Sequence, residues 1–388
     1  VQVALLVFGG LMTTYIALDQ YAGGAGAIAG FQKLIDFVPE KFSMILDQGE
    51  IMIADKIVTA ADGTQSIEYK DAWLDLPGLA VLIGGMWVAN LYYWGFNQYI
   101  IQRTLAAKSL KESQRGIALA AGLKLLMPLI VVVPGIVAYA MNVDPDIGSL
   151  SVDINPDFIK ETKDGLAFDN DKASPWLIKN FMPTGLKGLV LAALAAAIVS
   201  SLASMLNSIA TIFTMDIYRP YFKPAASEGQ LVNVGRLSAV VALVIGVILA
   251  PQLGSLDQVF QYIQEYTGIV SPGILAVFML GLFWKKTTNN AAIWGVILSV
   301  PIALYFKVGP KEWIDSPIFV SLPFMHQMMW TWILSMLVMV GISYAENGGK
   351  DHEKGIELSR ELFATGPVFN ISAIAVSLIL VALYAMFW

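Results

Sequence analysis

The chain has 388 residues, of which 56% are hydrophobic and 14% charged, and its formal net charge is −6. A water-soluble domain carries about 25% charged residues, so the solvent of this chain is the bilayer. With no cysteine, disulfides and thiolate chemistry are excluded; two histidines, His326 and His352, are too few for a histidine-built metal centre; and an acidic balance without a basic patch argues against a nucleic-acid partner.

In chain order, the apolar runs long enough, or nearly so, to cross about 30 Å of hydrocarbon as helix are 1–19, 76–103, 114–141, 186–218, 231–250, 254–284, 288–308, 320–345 and 367–388. The first opens on Val1-Gln2-Val3-Ala4-Leu5, already apolar and without the layout of a signal peptide, which reads as the interior of a longer protein whose N-terminal part is missing. Two long polar segments intervene. Residues 20–75 carry nine acids and four bases, and residues 142–185 carry eight and four. The first is expected to hold a short surface helix around Ile28–Phe37. The apolar runs are continuous rather than alternating, and an open sheet edge cannot sit in lipid, so sheets are not expected.

Basic residues near span ends set orientation. Arg103, Lys108, Lys111 and Arg115 share one loop, Arg219, Lys223 and Arg236 mark another, and Lys285 and Lys286 a third. Alternating nine spans puts all three on one face, the cytoplasm, and both acidic segments on the other.

Two spans contain helix breakers. The run 76–103 has Pro77, Gly78, Gly84, Gly85 and Gly95; the run 254–284 has Thr267-Gly268 and Ser271-Pro272-Gly273 near its middle. Proline removes a backbone bond and glycine frees the chain from helical geometry. Unwound backbone at membrane depth is tolerated where it lines a cavity, and two broken spans are expected of a transporter.

Four polar clusters lie inside these spans. Asn90-Leu91-Tyr92-Tyr93-Trp94-Gly95-Phe96-Asn97-Gln98 reads either as an interfacial aromatic belt or as a sugar site, in which aromatic faces stack on the ring and amides bond its hydroxyls. Lys124, ten residues inside its span, either snorkels to the interface or holds a hydroxyl or carboxylate. Gln261, Gln264 and Glu265 form either a polar seam between helices or a cavity lining. Ala197, Ser200 and Ser201 share a helical face. They allow close helix packing, or they supply three neutral oxygens, including a backbone carbonyl freed at Ala197, to a small hard cation. No G-x-S-x-G elbow, H-E-x-x-H or Walker A motif occurs, so nothing points to an enzyme or to ATP as the driving force.

The stretches GGMWVANLYYWGFNQYIIQRTLAAKS (84–109), AALAAAIVSSLASMLNSIATIFTMDIY (192–218) and FQYIQEYTGIVSPGILAVF followed by MLGLFWKK (260–286) resemble the solute:sodium symporter family, most closely its bacterial sodium/galactose (sodium/glucose-type) branch. The resemblance weakens in 20–75, 142–185 and 308–366. It implies an all-α polytopic membrane protein with a LeuT-like fold of two inverted five-helix repeats, N-terminal helices missing and about nine spans present. Residues 1–19 would be the last helix of the first repeat, 76–284 the second repeat, and 288–388 peripheral helices. The breaks in 76–103 and 254–284 would fall in the first and fifth helices of that repeat.

The resemblance also implies roles. Asn90, Lys124 and Gln264 match positions that hydrogen-bond the sugar. Tyr93 matches the aromatic that stacks on the pyranose and closes the inner side, and Phe260 matches part of the outer gate. Ala197, through its carbonyl, and Ser200 and Ser201, through their hydroxyls, match sodium ligands. The expected function is sodium-coupled symport of a hexose into the cell by alternating access. Such a secondary active transporter would sit in the inner membrane, with a sugar and the lipid bilayer as its partners and no protein partner implied. Alternatives are a sodium-coupled carrier of an organic acid or amino acid, with Lys124 as counter-ion, a sugar sensor that does not concentrate its ligand, and, least favoured, an intramembrane enzyme.

Overall fold

A computed structural model describes residues 2–59, 65–142, 158–162, 165–253, 259–308 and 322–388. Its helices are α1 Gln2–Tyr21, α2 Ala27–Phe37, α3 Leu79–Ile83, α4 Gly85–Leu91, α5 Gln98–Leu105, α6 Leu110–Lys124, α7 Val133–Asn142, α8 Ala173–Phe181, α9 Thr184–Ile212, α10 Glu228–Leu253, α11 Val259–Phe283, α12 Asn289–Val308, α13 Phe324–Asn347 and α14 Pro367–Met386. Among the described residues, eight helical segments are long and apolar enough to cross a bilayer, or nine when the bent pair Ala72–Ile83 and Gly85–Phe96 counts as one span. These are the nine runs marked by hydropathy. The helix expected around Ile28–Phe37 is α2.

The expectation of no sheet holds for the apolar runs and fails for the polar segments between them. Strands β1 Met52–Thr59, β2 Gln65–Asp71, β3 Ile159–Thr162 and β4 Gly165–Phe168 form a sheet in the order β2-β1-β4-β3. β1 runs antiparallel to β4, with Lys56 opposite Ala167, and β4 antiparallel to β3, with Thr162 opposite Gly165. These acid-rich segments belong to water, where open sheet edges carry no lipid penalty.

The chain divides into two compact units, one of residues 1–42, 55–68 and 116–259, the other of 43–54, 69–115 and 260–388. In the first, Ala17, Leu18, Leu34, Val137 and Leu177 bring α1, α2, α7 and α8 onto one apolar cluster. The span expected at 114–141 is present as Leu110–Asn142 and changes pitch within it: α6 ends at Lys124, Leu125 and Leu126 turn, and a π-helical turn follows over Pro128–Val132. Proline at 128 has no N–H for the helical ladder, which accounts for the change of pitch. Thr14 of α1 donates 2.5 Å to the carbonyl of Leu129 and so fixes this turn against α1.

In the second unit, Ala276, Leu280, Ala291 and Met339 pack α11, α12 and α13 together. The second of the two expected breaks is absent: α11 passes through Pro272 as one helix. Its glycines serve close approach instead. A Cβ at Gly273 would lie 2.0 Å from Ser299 Oγ of α12, and one at Gly268 would lie 3.0 Å from Met328 Cγ of α13. Neighbours fill the space beside the backbone at both glycines, and the helix continues through the proline.

Candidate functional site

The first expected break is present. The helices α3 and α4 meet at Gly84 (φ −118°, ψ −125°) and the segments on either side of it are bent by 76°. Val88 joins Leu275 and Met328 in a buried cluster, so α4 is held against α11 and α13. Beyond it the chain widens to a π-helical turn, Tyr92–Phe96, leaves helical geometry at Asn97 (φ −82°, ψ 118°) and restarts as α5. π-turns and broken helices of this kind recur at functional sites.

Asn90 is half-buried, and its side-chain amide donates 2.9 Å to the carbonyl of Met86, one turn back. Its side-chain carbonyl is the acceptor it can turn to a ligand. Tyr93 is 37% exposed and stands in a small aromatic group. The Tyr99 hydroxyl donates 2.7 Å to the Tyr93 hydroxyl, the two rings pack edge to face at 5.9 Å, and Trp94 packs edge to face on Tyr93 at 5.2 Å. Phe96 stacks on Phe278 of α11 at 4.7 Å. The turn that carries Tyr93 is thus anchored on one side to α11 and on the other to α5.

On α11, Gln264 is exposed. It precedes Leu275 by three turns, about 16 Å at 1.5 Å per residue, and among the described residues no hydrogen bond links it to Asn90 or Tyr93. Phe260 falls on the first turn of α11, and its side chain, like that of Gln261, lies outside the described residues. Glu265 forms an ion pair with Lys307 of α12, a polar seam between the two helices that also borders a narrow pocket.

In the first unit, Lys124 is the exposed last residue of α6, where the span Leu110–Asn142 changes pitch. On α9, Val190, Ala193 and Ser208 are buried and Ala197, Ser200 and Ser204 half-buried, at spacings of three and four residues that make one continuous stripe. Ser201 lies beside the stripe and is exposed. Helical hydroxyls commonly bond the carbonyl one turn back. Ser204 does so to Ser200 at 3.0 Å, Thr211 to Asn207 at 2.8 Å and Thr214 to Ala210 at 2.6 Å. The hydroxyls of Ser200 and Ser201 make no such bond, nor any other among the described residues. The freed carbonyl expected at Ala197 is not observed, because α9 is unbroken from 184 to 212; a helical carbonyl keeps a second lone pair, which remains able to face a cation. Among the described residues no group of three or more His, Asp or Glu side chains is placed to hold a metal, so neutral oxygens are the donors this region offers.

The sequence model of the sodium:solute symporter family matches residues 1–299. The chain belongs to the sodium:solute symporter family. It is 51% identical over 388 residues to the sodium/glucose cotransporter of Vibrio parahaemolyticus, an alignment covering all of this chain and 65% of that protein. It is 34% identical over 279 residues to the human sodium/myo-inositol cotransporter 2, covering 69% of this chain and 40% of the other. A sodium/mannose cotransporter of Bos taurus is 32% identical over 304 residues, covering 78% and 48%. The chain therefore spans about two thirds or less of the length of these curated relatives. Among solved structures, the substrate-bound, outward-open state of a Na⁺-coupled sialic acid symporter matches with a TM-score of 0.62 at 22% identity, over 90% of this chain and 62% of that one. The fold is that of this transporter, LeuT-like and mostly helical, and the protein is a multi-pass membrane protein.

Two residues of the site region carry no signal in the sequence reading. Tyr99 lies six residues beyond Tyr93 on a different helix, and Lys307, at the end of its span, looks like an interfacial anchor. Only the folded positions reveal them as partners of Tyr93 and Glu265.

Proposed function

We propose that the full-length protein is a secondary active symporter of the inner membrane that carries a hexose inward together with sodium. The observation that carries this reading is the adjacent pair of hydroxyls at Ser200 and Ser201, which, like that of Ser208 two turns on, stand outside the back-bonding pattern of Ser204, Thr211 and Thr214. With the carbonyl of Ala197 they supply three uncharged oxygens suited to a hard monovalent cation, the remaining ligands coming from elsewhere. The relatives named for cargo (glucose, myo-inositol and mannose cotransporters) all have polyhydroxylated solutes in their names, which supports a sugar.

In this reading Asn90, Lys124 and Gln264 hydrogen-bond sugar hydroxyls, Tyr93 stacks on the ring and closes the inner side, and Phe260 contributes to the outer gate. Residues 1–19 are the last helix of the first repeat, 76–284 the second repeat, whose first helix is the bent one, and 288–388 the periphery. The basic loops face the cytoplasm. Sodium does its work by binding the outward-open state more tightly than the inward-open one, since a ligand without differential affinity shifts no equilibrium.

The test is uptake of labelled galactose into proteoliposomes holding the full-length protein. Ser201→Ala should abolish the sodium dependence of uptake while leaving the yield of folded protein intact. Uptake that is indifferent to replacing sodium by choline would overturn the reading. Competition by an organic anion rather than by hexoses would reassign Lys124 as the counter-ion of an acid.

A further inference from the structure

The ion pair between Glu265 of α11 and Lys307 of α12 leaves the two side chains 25% and 24% exposed, inside helices that read as membrane spans. Glu265 lies in the first turn of its span and Lys307 is the last residue of its own, so the pair ties α11 to α12 near one end of both spans. The surroundings extend the link. Lys307 Nζ lies 5.3 Å from the centre of the Tyr266 ring, and that ring packs on Tyr262 at 4.2 Å. Glu265 and Lys307 also line a narrow pocket with Gly268, Gln327, Met328 and Thr331. The polar groups there are engaged with backbone: the Gln327 amide donates to the Leu322 carbonyl at 2.7 Å and Thr331 to the Gln327 carbonyl at 2.8 Å. The two charges therefore face each other rather than these neighbours.

The location of the pair on α11 gives it a consequence. Pro272 removes one rung of the helical ladder about two turns further on, so the turn holding residues 262–268 is coupled less firmly to the rest of α11 than an unbroken ladder would couple it. Gln264 is the residue next to Glu265, exposed, and about 100° around the helix from it. A pair that pins Glu265 to α12 sets the rotation and height of Gln264.

We propose that the Glu265–Lys307 pair is a positioning device for Gln264, with neither charge touching the sugar. This rests on the reading of Gln264 as a sugar ligand. Removing one partner leaves a partly buried charge alone, so the single variants disturb the turn as well as removing the link.

The experiment is a double-mutant cycle in proteoliposomes with the full-length protein, reading KM for galactose at saturating sodium, sodium binding without sugar, and the yield of folded protein. Lys307→Met and Glu265→Gln should each raise KM about tenfold and leave sodium binding unchanged. The exchange Glu265→Lys with Lys307→Glu should return KM to within about threefold of the parent. Gln264→Ala should raise KM, and adding Lys307→Met to it should raise KM no further. A Lys307→Met effect that is the same with and without Gln264 overturns the positioning role, as does an unchanged KM in the single variants while Gln264→Ala raises it. An unchanged KM in Gln264→Ala removes the sugar-ligand reading itself, and this inference with it. If Lys307→Met lowers the yield, the exchange variant and Glu265→Gln, which keeps a hydrogen-bonding group of the same shape, decide the matter.

Discussion

The segment 72–96 and the helix α11 carry similar breakers, a glycine pair in the one and Gly268, Pro272 and Gly273 in the other, yet the first bends by 76° and the second runs from Val259 to Phe283 without interruption. Gly84 and Gly268 have alike neighbours, methionine side chains of α13 (Met329 Sδ at 3.2 Å and Met328 Cγ at 3.0 Å from an added Cβ), so the difference lies at Gly85. At Gly84 the chain departs from helical angles, and Gly85 then lets the new helix lie directly on α13, where an added Cβ would be 1.9 Å from the Met325 carbonyl oxygen. At Gly268 and Gly273 the neighbours are side chains of α13 and α12 that fill the missing volume, and the helix continues past them. A breaker residue therefore permits two outcomes, and packing selects between them.

The largest expected effect follows from Gly85. Its close neighbour is backbone, which cannot rotate away, so Gly85→Ala should cost about 3 kcal/mol and sharply reduce the yield and thermal stability of solubilised protein. A thermal midpoint within 2 °C of the parent would mean that α4 and α13 do not meet as closely as the bend requires. Gly273→Ala should cost less, about 1–3 kcal/mol, because the obstacle is the Ser299 side chain. Adding Ser299→Gly should recover most of that loss. A Gly273→Ala defect that Ser299→Gly does not relieve would mean the glycine is needed for its backbone freedom, as at Gly84.

Pro272 sharpens the same contrast with a smaller effect. Alanine there restores a ladder rung but removes a fully buried ring. The two changes oppose each other, and Pro272→Ala should leave stability within about 1 kcal/mol. A clear gain in thermal stability would indicate that α11 is strained as a continuous helix and that the proline is kept for a broken state.

The spans were legible in the sequence because bilayer thickness demands a run of apolar residues that no local chemistry can disguise. The serines on α9 and the aromatic-amide cluster near Asn90 were legible for the complementary reason: polar groups stand out in such runs. The sheet was also within reach. Asp62-Gly63 and Asp164-Gly165 stand between stretches rich in β-branched and aromatic residues, a hairpin signal, which a composition dominated by lipid-facing helices obscures. Whether a glycine bends or packs was not legible, since that depends on residues such as Met325 and Ser299, far away in sequence. The same holds for Lys307, which meets Glu265 across 42 residues.

The smallest effect concerns the bent segment. The bent segment carries Tyr93 on a π-turn, held through one hydroxyl bond from Tyr99, whereas Gln264 on α11 is flanked by an ion pair. A single neutral hydrogen bond contributes about 1 kcal/mol net, a restraint weak enough to be released within a transport cycle. Tyr99→Phe removes the donor and keeps the ring, so stability should change by less than about 1 kcal/mol while galactose efflux from loaded proteoliposomes quickens up to about fivefold. Tyr93→Phe removes the same bond from its other end and should quicken efflux to a similar degree. If only one of the two variants changes the efflux rate, the bond is not what restrains the ring, and the edge-to-face packing of Trp94 and Tyr99 must hold it instead.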